Sequence, residues 1–146
     1  MTTKFGKTVR KFGLITCVLF ILGCSNTRTR HIGEWKSSSE NMELILDKNN
    51  DAILIQNNQA VGGKDWIVHG GKGQLKYIID YSKKPIWLDL IGTYKKKDQT
   101  YNLRLNGIIR FITGRKMEYR IDLVPNEDTH PKDFDTGRTF VLEKQN

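Results

Sequence analysis

The sequence predicts an all-β protein, a single antiparallel β-barrel of about eight strands, set behind an N-terminal leader. Three observations carry this. Apolar residues recur at every second position in one stretch after another, and no ten-residue window of the chain beyond the leader holds a 3.6-residue period. Polar or Gly/Asn-rich breaks separate these stretches at spacings of about 8–12 residues, the rhythm of a sandwich or barrel. Residues 33–146 number 114, enough for one domain and not for two.

The leader comes first. Lys4, Lys7, Arg10 and Lys11 precede an apolar run of eleven residues, 12–22. A helix that spans a bilayer needs about 20 residues, so the run reads as the core of a secretion signal. Ile21-Leu22-Gly23-Cys24 follows, with a small residue and a cysteine where the apolar run ends. This resembles a bacterial lipobox, although leucine is commoner at the position of Ile21. The resemblance implies removal of residues 1–23 and acylation of Cys24, and so a membrane anchor in the cell envelope. Ser25 replaces the aspartate that retains some lipoproteins at the inner membrane, so an outer membrane is expected where two exist. Residues 24–32 form the lipidated cysteine and a polar tether. The eight residues from Ser25 reach at most about 29 Å, which keeps the domain near the membrane. Arg28 and Arg30 read as solvated linker residues or as contacts to anionic headgroups.

Cleavage changes the charge argument. The whole chain carries 24 basic and 16 acidic residues, net +8, but four of the basic residues lie in the leader and none of the acidic ones do. The remainder is 20 basic against 16 acidic, net +4, too weak a bias to imply nucleic acid. Cys17 leaves with the leader. With Cys24 acylated no thiol remains for a disulfide or a metal site, and stability must come from the core.

In the domain, residues 42–46 and 52–56 alternate on either side of Asn49-Asn50-Asp51 and predict a hairpin. Residues 57–73 are rich in Gly, Asn and Gln around a brief Trp66-Ile67-Val68 strand. Their Gly-Gly-Lys pairs lack the spacing of a phosphate loop and read as turns. Two strands meeting at a corner follow: Tyr77, Ile79 and Tyr81 share one face, then Ser82–Pro85 breaks the run, then Ile86, Leu88 and Leu90 face opposite Trp87, Asp89 and Ile91. Pro85 has no N–H for a ladder and belongs at a strand start. Asp80 and Asp89 are expected to accept backbone N–H groups at this corner and not to act as an acid/base pair. Lys95, Lys96 and Lys97 cap the next loop. Asn106-Gly107 is expected to turn the chain between residues 101–105 and 108–112. The alternation of residues 117–123 and the strand 139–144 complete the set. Between them lies an acidic loop in which Phe134 is the expected apolar pin; Glu127, Asp128, His130, Asp133 and Asp135 there match no metal-ligand spacing.

Several blocks in order resemble the small lipocalin-like domain frequent in planctomycete proteins. These are Gly33-Glu34-Trp35, the run from Asp80 through Pro85 to Asp89-Leu90, Gly107-Ile108-Ile109, His130-Pro131-Lys132-Asp133-Phe134, and Phe140 to Lys144. Arginine is usual where this chain has His130 and Lys144. The resemblance implies a calycin-type barrel in which Trp35 closes the base and Lys144 packs over its ring. The family has no agreed activity, so fold and not task is what it implies.

Two tasks remain open at this level. A barrel of this class is expected to hold one small apolar ligand inside. The alternative is a barrel packed solid by Trp35, Met42, Leu44, Tyr77, Tyr81, Leu88, Tyr119 and Phe140, docking on another envelope component. No cofactor and no catalytic residue is expected: no Ser-His-Asp or His-x-x-x-His pattern occurs, and His31, His69 and His130 are scattered.

Overall fold

The computed structural model describes residues 27–122 and 129–146. The leader, Cys24 and part of the late acidic loop, with Glu127 and Asp128, lie outside these residues. A short 3-10 turn, Thr27–Thr29, precedes eleven strand segments: β1 (Gly33–Ser37), β2 (Met42–Leu46), β3 (Ala52–Gln56), β4 (Gln59–Gly62), β5 (Ile67–Val68), β6 (Gly71–Asp80), β7 (Ile86–Lys96), β8 (Gln99–Leu105), β9 (Gly107–Thr113), β10 (Lys116–Ile121) and β11 (Thr139–Lys144). All pairings are antiparallel and the fold is all-β.

The strands form one curled sheet in the order β4-β3-β2-β1-β11-β10-β9-β7-β6-β5, with β8 also on β7. Most strands pair with a neighbour in sequence, β4 and β5 stand at the two ends of the order, and β1 brings the termini together by pairing with β11, Trp35 opposite Lys144. The segments β8 and β9 share one line. Leu105 pairs with Leu90 and Ile108 pairs with Trp87, so both run along β7 in a single register. Asn106-Gly107 is therefore an interruption within a strand and not the expected turn. The reason is a side chain: Oδ1 of Asp89 takes the Gly107 N–H at 3.1 Å, where a ladder carbonyl would otherwise stand.

The sheet is thus ten strands wide, not about eight. Within residues 57–73, β5 falls on the expected Trp66-Ile67-Val68 strand, while β4 forms from residues for which no strand was expected. Asn57 and Asn58 adopt φ of 51° and 64°, the left-handed pair of a two-residue hairpin turn, and fold β4 back on β3. His69 and Gly70, at 51° and 78°, do the same for β5 and β6. These short strands flank an open seam. The sheet curls until β3 and β4 face β6, but the bridge Asp51↔Lys76 and the Tyr77 N–H to the Asn50 carbonyl, 2.9 Å, stand there in place of a ladder. Gly62, at φ 97°, presses so closely on Ala52 and Leu75 that a Cβ would collide with both.

The alternation places Met42, Leu44, Leu46, Leu54, Leu75, Tyr77, Leu88, Leu90, Met117, Tyr119, Phe140 and Leu142 inside. Burial of such side chains contributes about 1.5–3 kcal/mol each before the entropy of ordering is subtracted. Trp35 fills the end of the barrel where β1 begins. Trp66, half-buried over Gly73 and Gly92, covers the other. Tyr81 departs from the expected inward set: it lies past the end of β6, half-buried, against His31.

Candidate functional site

The residues singled out in the sequence separate into three groups, and the structure adds a fourth feature.

Gly33, Trp35 and Lys144 meet at the end of the barrel where β1 begins. Trp35 keeps 0% of its surface exposed, and its Nε1–H donates to the His31 carbonyl at 2.7 Å. Lys144, opposite it in the β1–β11 ladder, crosses over the ring with Nζ 5.3 Å from the ring centroid and donates to the Arg30 carbonyl at 3.1 Å. Gly33 makes the crossing possible: a Cβ there would lie 2.6 Å from Lys144 Cε, and its φ of 135° is one that side-chain-bearing residues rarely adopt. Burial, then the nearby Arg115, holds the Lys144 ammonium below its ordinary pKa.

His31, Tyr77 and Tyr81 extend this plug. The Tyr77 hydroxyl donates to the Asp47 carbonyl at 2.6 Å, so it must accept from His31 Nε2–H at 3.0 Å. Nδ1 is then the acceptor for the Tyr81 hydroxyl at 2.8 Å. This pattern needs a neutral imidazole. Burial first, then Lys144, lowers the His31 pKa accordingly.

Asp80 and Pro85 lie at the β6–β7 corner. The Asp80 carboxylate accepts the Ser82 N–H at 2.9 Å and the Ser82 hydroxyl at 2.6 Å, and these bonds lower its pKa. The Lys84–Pro85 bond is cis, and Lys83 Nζ stands 4.7 Å from the Trp87 ring centroid.

Asp89, Gly107, Pro131 and Phe134 come together on the outer face of β7, β9 and β10, under the loop 129–138. Asp89 is 1% exposed although it points away from the core. Its Oδ1 accepts from Gly107 N–H and from His130 Nε2 at 2.8 Å, and its Oδ2 accepts from Arg104 at 2.6 Å. His130 stacks on Trp87, with ring centroids 3.6 Å apart. Pro131 is buried, and Phe134 lies under the Arg110 guanidinium at 4.6 Å. Asp133 accepts from Arg120 at 2.9 Å and from the N–H and hydroxyl of Thr136. The cluster's work here is to strap the loop onto the sheet. Arg104 and His130 as partners of Asp89 escaped the sequence reading; an acidic residue amid the apolar run 86–91 was the one signal for them.

The fourth feature is a groove of about 910 Å³ on the outer side of the open seam. Ile45 and Ile53, cross-strand partners on β2 and β3, form one wall, because Leu44, Leu46, Ala52 and Leu54 take the inward positions. Gln74 and Thr93, partners on β6 and β7, form the other; Ala52 and Leu75 line the seam between the walls. Asp47 and Asp51 stand at the end of the groove nearer His31, and Lys64, Lys72 and Lys95 toward the far end.

Together these features define a class: an antiparallel all-β protein whose curled, half-barrel sheet is filled at one end by Trp35 and carries a strapped outer loop and an open seam. No protein-family model, curated protein or solved structure matches the chain.

Proposed function

We propose that this is a lipid-anchored, non-catalytic protein of the cell envelope, a lipocalin-like barrel of calycin type whose interior is packed solid and whose outer surface does the work. The observation that carries this is the state of the inward side chains. Trp35, Leu44, Leu88, Leu90, Met117, Tyr119 and Leu142 each keep 0% of their surface accessible to a water-sized sphere. A side chain lining a hollow large enough for a ligand would keep some. The lipobox resemblance supports the anchor, and the crossing of Lys144 over Trp35 behind Gly33 supports the calycin assignment. An envelope protein that docks through its surface fits these features better than a carrier with its cargo inside.

Mass spectrometry of the full-length protein recovered from cells tests both parts. Denaturing spectra are expected to show Cys24 as an acylated N-terminal residue. Native spectra are expected to show no neutral apolar passenger. An unmodified Cys24 would remove the anchor, and a retained neutral passenger would restore the carrier reading.

A further inference from the structure

The seam groove has the chemistry of a binding site, and neither the barrel base nor the loop strap uses it. Its lining is mostly apolar, with Ile45, Ile53 and Leu75 along its length. Both carboxylates in it are already engaged. Asp47 Oδ1 accepts the Asn49 and Asp51 N–H groups at 2.7 and 2.9 Å, and Asp51 Oδ1 accepts from Lys76 at 3.1 Å and Gln74 at 3.2 Å. The far end is different. Gly73 pairs with Tyr94 at the last rung of the β6–β7 ladder, so Lys72 and Lys95 fall opposite one another one step beyond it. Among the described residues neither has an acidic partner. Like charges facing each other across two strands destabilise the pair, and an anion placed between them reverses the sign.

We infer that the groove binds a single-chain anionic amphiphile, a long-chain fatty acid, with its hydrocarbon along Ile45 and Ile53 and its carboxylate between Lys72 and Lys95. The engaged acids near His31 and the lysines without an acidic partner among the described residues at the far end fix this orientation. Four residues of β6 separate Lys76 from Lys72, about 13 Å of strand for the chain to lie along. On the reading that Cys24 is the anchor, it lies three residues before the 3-10 turn Thr27–Thr29, which keeps the groove near a membrane that supplies such molecules. The inference rests on the reading that the outer surface, and not the interior, is the working part.

The test uses isolated envelopes that contain the full-length chain, a photoactivatable palmitate and the matching photoactivatable alcohol. Crosslinks from the palmitate are expected on the segments containing Ile45–Ile53 and Gln74–Thr93. Labelling is expected to fall about tenfold in the Lys72→Ala/Lys95→Ala double variant, and the alcohol is expected to label about tenfold less than the acid. Ile53→Glu, an outward substitution that spares the core, is expected to abolish labelling. Equal labelling by acid and alcohol, or labelling indifferent to the two lysines, overturns the inference. No labelling in the groove or inside overturns the inference and leaves the solid-barrel reading standing. Labelling that survives loss of the lysines but disappears in Leu88→Trp places the chain inside the barrel and overturns both.

Discussion

Leu88→Trp puts the filled interior to a direct test. Leu88 is fully buried, lies opposite Ile79 on β6, and on its other side its carbonyl is in contact range of Gly107, over which the Tyr119 ring packs. An indole placed there must displace Ile79 or Tyr119 or leave its rotamer. Such overpacking typically costs about 1–3 kcal/mol and occasionally more. With Trp35 filling one end the upper figure is expected, about 3 kcal/mol. Urea unfolding with a slope of about 1–3 kcal/mol per molar then shows the midpoint falling by roughly 1–3 M. The companion Leu88→Ala is expected to lose about 2–5 kcal/mol through transfer and cavity terms. Loss in both directions is the signature of a close-packed core. If Leu88→Trp unfolds within about 0.5 kcal/mol of the parent, the barrel has room inside and the argument for a surface function collapses.

Three further outcomes follow from the polar groups. Asp89→Ala orphans the buried Gly107 N–H, worth about 1–3 kcal/mol, and unties His130; limited proteolysis is expected to cut within residues 129–138 faster, and a strap as resistant as the parent's refutes its role. Tyr119→Phe removes a fully buried hydroxyl for which no protein partner stands among the described residues, and is expected to stabilise by about 1 kcal/mol in the same urea assay; a loss of that size would show that the hydroxyl is bonded. His31 has its pKa lowered in the folded protein, so below its ordinary value of 6.5 the unfolded chain binds the proton first. Its contribution is therefore complete above about pH 6.5 and declines as pH falls toward the lowered value. His31→Gln is expected to flatten the urea midpoint between pH 7 and 5, and a variant with the parent's slope contradicts the assignment.

Alternation legible in the residues placed β2, β3, β10 and β11 and the inward faces of β6 and β7, because a half-buried strand writes its burial into every second residue. Asn106-Gly107 misled for a physical reason. Asn-Gly is a turn signal when the backbone must satisfy itself, but a side chain 18 residues distant supplies the missing acceptor here, that of Asp89. The pairs Asn57-Asn58 and His69-Gly70 hid two hairpins in a polar stretch; asparagine's tolerance of positive φ was the available clue for the first. Of the motif residues, Trp35 and Lys144 could be linked through the family resemblance, but the groove could not be foreseen. It arises where two ends of a curled sheet fail to pair, and that depends on the curvature of the whole.

The pairing of β1 with both β2 and β11 has a mechanical consequence. A pull transmitted through the residues before Gly33 acts along the axis of a strand that is hydrogen-bonded on both sides, so the rungs on each flank bear the load together and must break together. The seam, by contrast, lies between β3 and β6, away from that line of force. The sheet can open at its weakest line while its grip on β1 stays intact.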